Sequence, residues 1–340
     1  MFRQLMATML VATIVFTLPG AAQARGLEGH SGDDLGTIVI ANRGSGTISL
    51  INVETDQVVD TIVLPGETPE PMYVNFALGK VFVGDRGGNQ VVVYDAEDFS
   101  LLGTIPAGNG VFHQWAHPNG KQIWINNDID KTATVIDTES LAVLATVSIP
   151  AGDDYKPHDV FVHPNKPLAY VTLLGAAPGK VVQFSTETFQ VSGTADVGAD
   201  PHLSLSKQQK QLLVPSQNGN TVFVLDPVTL EQITTIAVPA AHGAWTKKNG
   251  QTFYTTNIAG GGTDGIYAID LKTNTVIGSA STPYSTPHNI VATQSKLYVT
   301  HSGAAADKVS IYSISERNPV PSLIGEATVG LNPFGLGYVP

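Results

Sequence analysis

A chain of 340 residues, 42% hydrophobic and only 14% charged, has ample material for a core and is too apolar to be disordered. Its 18 basic against 29 acidic residues give a net charge of −11, which argues against nucleic acid and anionic membrane surfaces as partners. The absence of cysteine excludes disulfides, c-type haem attachment, iron–sulfur clusters and thiolate-ligated copper.

The first element is a secretory signal over residues 1–24: Arg3, an apolar run from Leu5 to Leu18, then Pro19-Gly20 and the Ala22-Gln23-Ala24 cleavage pattern. The apolar run is shorter than the roughly 20 residues that span a bilayer, so the expectation is cleavage and a periplasmic or secreted protein without membrane insertion. Cleavage would leave 17 basic and 29 acidic residues, a net charge of −12. Residues 25–36, with His30, read as a flexible tail.

From Thr37-Ile38-Val39-Ile40 onward, strand signals recur with almost no helical periodicity. β-branched and aromatic runs ending in a polar residue occur at Ile123–Asn127, Tyr170-Val171-Thr172, Phe253–Asn257 and Tyr298-Val299-Thr300-His301. After a Gly-containing loop, a second run closes on a small polar or acidic residue, successively Asn52, Asp95, Asp137, Ser185, Asp226, Asp270 and Ser313. A third run leads to a Pro- or Gly-containing link, completing a four-strand unit. The first unit has no inner strand before it, and Gly335–Val339 is an inner strand with nothing after it. Pairing the two chain ends removes both exposed edges. The pattern therefore predicts an all-β fold, one seven-bladed β-propeller over residues 37–340 with four-stranded antiparallel blades.

With Tyr170-Val171-Thr172 and Tyr298-Val299-Thr300 as its most literal copies, the chain resembles the YVTN family of β-propeller repeats over about residues 36 to 340. That resemblance implies the fold and says little about function.

One slot, just before the innermost strand of each unit, holds Met72, His113, His158, His202, His242, His288 and Phe334, at spacings of 41, 45, 44, 40, 46 and 46 residues. In a closed ring these side chains gather around the axis. Neutral imidazole is a good ligand for first-row transition metals, and Met72, the one methionine left after signal cleavage, adds a soft thioether that favours copper. Zinc or another divalent transition metal is the alternative. Because ligating imidazoles must be deprotonated, binding is expected to weaken near pH 6.5. The competing reading is a packing residue copied from an ancestral Pro-His repeat, as after Pro157, Pro201 and Pro287, but His113 and His242 follow Phe112 and Ala241 instead.

The hub is similar to the propeller domain of nitrous oxide reductase, which implies copper held by histidines projecting from the blades. The chain has no cysteine-bearing electron-entry domain, and Met72 and Phe334 stand at two potential ligand positions, so a centre smaller than a four-copper cluster is expected. Methanethiol oxidase-type propellers are a second, looser likeness with histidines and copper.

Arg43, Arg86, Asp128 and His301 follow second strands and are expected to surround an entering ligand on the same face, with Phe334 closing a dry side. His117 and His163 precede Pro-Asn and read as turn residues, and the Asp95, Asp137, Asp226 and Asp270 series as turn caps. Gly260–Gly265 lacks the Lys-Ser/Thr of a phosphate loop and reads as an enlarged loop, and no Gly-x-Ser-x-Gly elbow occurs.

Three functions compete: an exported copper-binding propeller in copper handling or copper-dependent oxidoreduction, a noncatalytic scaffold for a periplasmic redox protein, and a lactonase-like hydrolase. The second resembles the propeller subunits of bacterial amine dehydrogenases, with Tyr155 and Tyr284 as contact residues.

Overall fold

The computed structural model describes residues 35–247, 250–259 and 262–340, with the backbone alone at 262–264. The signal expected at 1–24, His30 and most of the tail expected at 25–36 lie outside the described residues. Among the described residues, 28 strands build seven four-stranded antiparallel sheets, and the single helical turn is Gln217–Gly219. No described helix is long and apolar enough to cross a membrane. The strand Gly262–Asp270 begins within the segment expected to be an enlarged loop.

The sheets close into a ring. Pro333–Val339 pairs with Thr37–Asn42, completing the blade whose other strands are Thr47–Asn52 and Gln57–Val63. Seven apolar clusters fill the interfaces, one between each pair of neighbouring blades. The period-2 alternation of a strand is what feeds two clusters from one run. Ile38 and Ile40 pack toward the last blade, while Val39 and Ala41 pack toward the next one. Strands covered on both faces read as unbroken apolar runs, which is why Tyr-Val-Thr phrases recur without polar alternation.

Outer strands are largely exposed, and in all seven blades the pairing of the third and fourth strands contains a register shift. Such irregularities twist an edge away from further pairing and protect the rim from edge-to-edge association.

The feature that positions the site is at the start of each innermost strand. Pro71, Val111, Pro157, Pro201, Ala241, Pro287 and Pro333 pair with Asp85, Asn127, Leu173, Ser216, Asn257, His301 and Asn42 of their second strands. Two residues then follow before pairing resumes, and in six blades the register slips by one across them. The blade carrying His202 keeps its register, from Pro201–Ser216 to Ser204–Leu213. A bulge re-aims side chains that a regular strand would send to opposite faces. In the six bulged blades this offers the hub a pair of consecutive residues.

Candidate metal centre

By ladder position, the first residue of each pair is Met72, Phe112, His158, His202, His242, His288 or Phe334, and the second is Tyr73, His113, Asp159, Leu203, Gly243, Asn289 or Gly335. This corrects the expected slot: Phe112, not His113, is the equivalent of His158. The hub nonetheless gathers all five histidines, because His113 enters from the second position. Imidazole centroids stand 4.9 Å apart for His113 and His158, 4.5 Å for His158 and His202, 3.8 Å for His202 and His242, and 4.6 Å for His242 and His288. Phe334 continues the circuit at 4.2 Å from His288.

Three of the five form a compact donor set. His113, His158 and His202 each offer a nitrogen within 4.8 Å of the others, and all three are no more than 5% exposed. His242 and His288 adjoin this set and lie outside it. Met72 is fully buried, and the rings of Phe112 and Phe334, from the blades flanking its own, meet at 5.9 Å.

A carboxylate that the sequence reading missed organises the triad. Asp159 Oδ1 accepts His113 Nδ1–H at 2.9 Å, while Oδ2 accepts the Leu203 N–H at 2.8 Å and lies 3.6 Å from His202 Nδ1. On the far side of the His113 ring, Nε2 accepts the Tyr73 hydroxyl at 2.7 Å, and Asn289 Nδ2 donates to the Tyr73 oxygen at 2.9 Å. These donors assign His113 the Nδ1–H tautomer. His158 Nδ1 faces Pro201 O at 3.3 Å and has Asp200 Oδ1 at the same distance, the latter without hydrogen-bond geometry. His202 Nε2 and both nitrogens of His242 are buried without a partner.

Burial disfavours the charged forms of His113, His158, His242 and His288. Burial, reinforced by repulsion from His202 and His113, holds His158 well below the ordinary imidazole value. Burial and the neighbours His202 and His288 do the same to His242, and burial and His202 bring His288 down to about 3. His113 is lowered by burial against the pull of Asp159. Burial alone would raise the Asp159 carboxyl, but His113 and His202 hold it far below the usual carboxylate range. The result is a pair of imidazoles of depressed basicity, His113 and His158, beside one part-buried anion.

No protein family and no curated protein matches the sequence. Solved structures do match in shape. The periplasmic gluconolactonase of Pseudomonas aeruginosa superposes with a TM-score of 0.72 at 13% identity, over 90% of this chain and 99% of that one. The hydrazine synthase of Kuenenia stuttgartiensis gives 0.66 at 14% identity, over 82% and 92%. The dihydro-heme d1 dehydrogenase NirN, in complex with DHE, gives 0.59 at 16%, over 92% of this chain and 66% of that one. The likeness is one of fold.

Several residues expected around the entrance are already engaged. Arg43 pairs with Glu70 at 2.5 Å and Arg86 with Asp128 at 2.9 Å, and their guanidinium carbons lie 5.2 Å and 5.7 Å from the ring centroids of Phe334 and Phe112. They tie neighbouring blades together above an aromatic lid. His301 is outside the hub, donating from Nδ1 to Ser285 O and bonding Ser310 through Nε2. Tyr155 and Tyr284 bond within the chain, to Pro178 O and Glu326.

The reading of the turn residues agrees with the hydrogen bonds. His117 Nδ1 accepts the Asn119 N–H, and His163 Nδ1 those of Asn165 and Lys166. Asp95, Asp137, Asp226 and Asp270 each accept a backbone N–H two residues on.

Open space lies on the other side of the histidines, along the strands toward Phe76 and Ala116: a cavity of about 230 Å3 reaches His113, Asp159, His202 and Asn289. This cavity meets the histidines from the side away from Arg43 and Arg86.

Proposed function

We propose that the hub binds a transition-metal ion through His113, His158 and His202, with copper the leading ion and zinc the alternative. The observation that carries this is the meeting of three buried imidazoles whose donor atoms fall within 4.8 Å of one another, at least one with an orphaned nitrogen. Metal–nitrogen bonds of about 2.0–2.1 Å place tetrahedral donors roughly 3.3 Å apart, so a small inward turn of the rings suffices. His113 would bind through Nε2, releasing Tyr73, while Asp159 holds Nδ1–H; a carboxylate behind a ligating imidazole fixes its orientation and raises its basicity. The donor set is all nitrogen, which suits copper, zinc, nickel or iron, and the preference for copper rests on Met72. Copper handling or small-scale copper oxidoreduction outside the cytoplasm is the activity that fits such a centre and the signal-like N-terminus.

Elemental analysis of protein purified from the periplasm without added metal tests the reading directly. Replacing His158 and His202 together by Ala is expected to lower copper uptake roughly 100-fold or more, since two of three donors go. The paired replacement of His117 and His163, both committed to turns, is expected to leave uptake unchanged. Equal effects from the two pairs would overturn the assignment. Met72→Leu keeps volume and apolar character, so it should weaken Cu(I) more than Zn(II) and barely alter stability. Intact Cu(I) affinity in that variant would reduce Met72 to core packing.

One observation favours a second reading, a metal-independent lactonase-like hydrolase. Tyr73, His113 and Asp159 form a hydrogen-bonded series of the kind that positions a general base, and it opens on the cavity. Hydrolysis of an aldonolactone that survives exhaustive chelation and is lost in His113→Ala would select this reading.

A further inference from the structure

The cavity next to the histidines has a consistent chemical character that the metal reading does not use. Five aromatic side chains line it: Tyr73, Phe76, Trp115, Trp245 and Tyr338. Trp115 and Trp245 come from blades three places apart in the ring and meet across the channel, their centroids 6.3 Å apart. Neither Lys nor Arg contributes to the lining. Its one charged group is Asp159, an anion at the end nearest the triad. Asn75 Oδ1, also on the lining residues, is a buried acceptor with no partner, and Trp115 Nε1 is a buried donor with none.

A ligand for this space must suit aromatic faces, an anion and an unused acceptor, with at most one donor to answer. An anionic ligand would be repelled by Asp159 and would meet no cationic side chain. A neutral polyol could donate hydroxyls to both oxygens but would bring no charge to balance Asp159. A primary ammonium brings three donors and no acceptor, and the negative faces of the rings attract it further. The volume, about 230 Å3, corresponds to roughly eight waters of liquid and admits a single ring with a short amino arm.

We propose that the chamber walled by Trp115, Trp245, Phe76 and Tyr338, with Asp159 at its inner end and Asn75 beside it, is a binding site for a small ring-bearing primary amine in its ammonium form. An oxygen on the far side of the ligand's ring would answer Trp115 Nε1. The site stands without the metal; an ion at the triad would add positive charge beside Asp159 and oppose the ligand.

Tryptophan fluorescence of chelated protein reads the site directly, since two of the three tryptophans line it and Trp124 is buried in a blade interface. Benzylammonium at neutral pH is expected to give a saturable change. Benzyl alcohol, the same shape without the charge, should bind about tenfold more weakly or worse, and benzoate not at all. Asp159→Asn should weaken benzylammonium about tenfold, and Asn75→Asp, which adds a second carboxylate on the lining, should tighten it. If Asp159→Asn does not fold, Asn75→Asp carries the test alone. Equal binding of benzylammonium and benzyl alcohol, preference for D-glucose over both, no saturable change with the amine, or unchanged affinity in Asn75→Asp would each overturn the proposal.

Discussion

Removal of residues 335–340 is expected to lower the midpoint of thermal unfolding by more than about 10 °C and to destabilise every blade rather than fray a tail. The deletion strips most of the inner strand from the closing blade, leaving the edge of Thr37–Ile40 without its partners Val339, Tyr338, Gly337 and Leu336. It also removes Leu336 and Val339, 8% and 5% exposed, from the interfaces on the two sides of that blade. Burying each such side chain contributes about 1.5–3 kcal/mol, and the unpaired edge adds to the loss. Against a total stability of about 5–15 kcal/mol, that is a large fraction. The interfaces form a closed circuit, so opening one removes the constraint on the other six. Thermal unfolding followed by circular dichroism checks this; an unchanged midpoint would mean that closure contributes nothing.

The ring itself was legible because its determinants are local. Runs such as Ile38–Ala41 and Tyr298-Val299-Thr300 carry apolar side chains on both faces, and a small polar or acidic turn residue recurs once per blade. The joining of the two chain ends followed from counting strands. The site was legible only in part. His158, His202, His242 and His288 stand at equivalent ladder positions, so periodicity found them. His113 was found at a position where the ladder places Phe112, and it belongs to the hub because the bulge turns its neighbouring position inward. Regular alternation sends the residue after a hub histidine to the opposite face, so Asp159, Tyr73 and Asn289 gave no signal under a strict two-residue period. The pairs His158-Asp159 and His288-Asn289 were on the page; the irregularity that makes them pairs is a property of the ladder. The partners of Arg43 and Arg86 were not legible for another reason. Position on a face says nothing of partners, and Glu70 and Asp128 hold both guanidiniums above the aromatic rings.

The metal-free protein is expected to lose several kcal/mol of stability as the pH falls from 6.5 to about 4.5. His158, His242 and His288 are buried with protonation suppressed, His288 to about 3. In the unfolded chain each takes up a proton near 6.5. Above that value both states are neutral and these groups give no pH dependence. Below it the unfolded state binds protons that the native state refuses, so stability falls with pH until the folded values are reached. For His288, whose folded value lies near 3, the loss two units below 6.5 is about 3 kcal/mol, and His158 and His242 add to it in the same direction. Asp159 does not offset this, because a depressed carboxylate gives its stabilisation above the ordinary carboxylate range and loses it only in stronger acid. Urea midpoints at pH 7.5 and 5.0 measure the effect. His242→Leu removes a histidine whose two ring nitrogens are buried without partners and which lies outside the triad. That variant should be more stable than the parent at pH 5.0, with a pH slope shallower by about 1.4 kcal/mol per unit. The same reasoning moves the expected weakening of metal binding below pH 6.5, because burial lowers His113 and His158 from the ordinary imidazole value. An identical slope in His242→Leu and the parent would show that His242 is not held neutral by the fold.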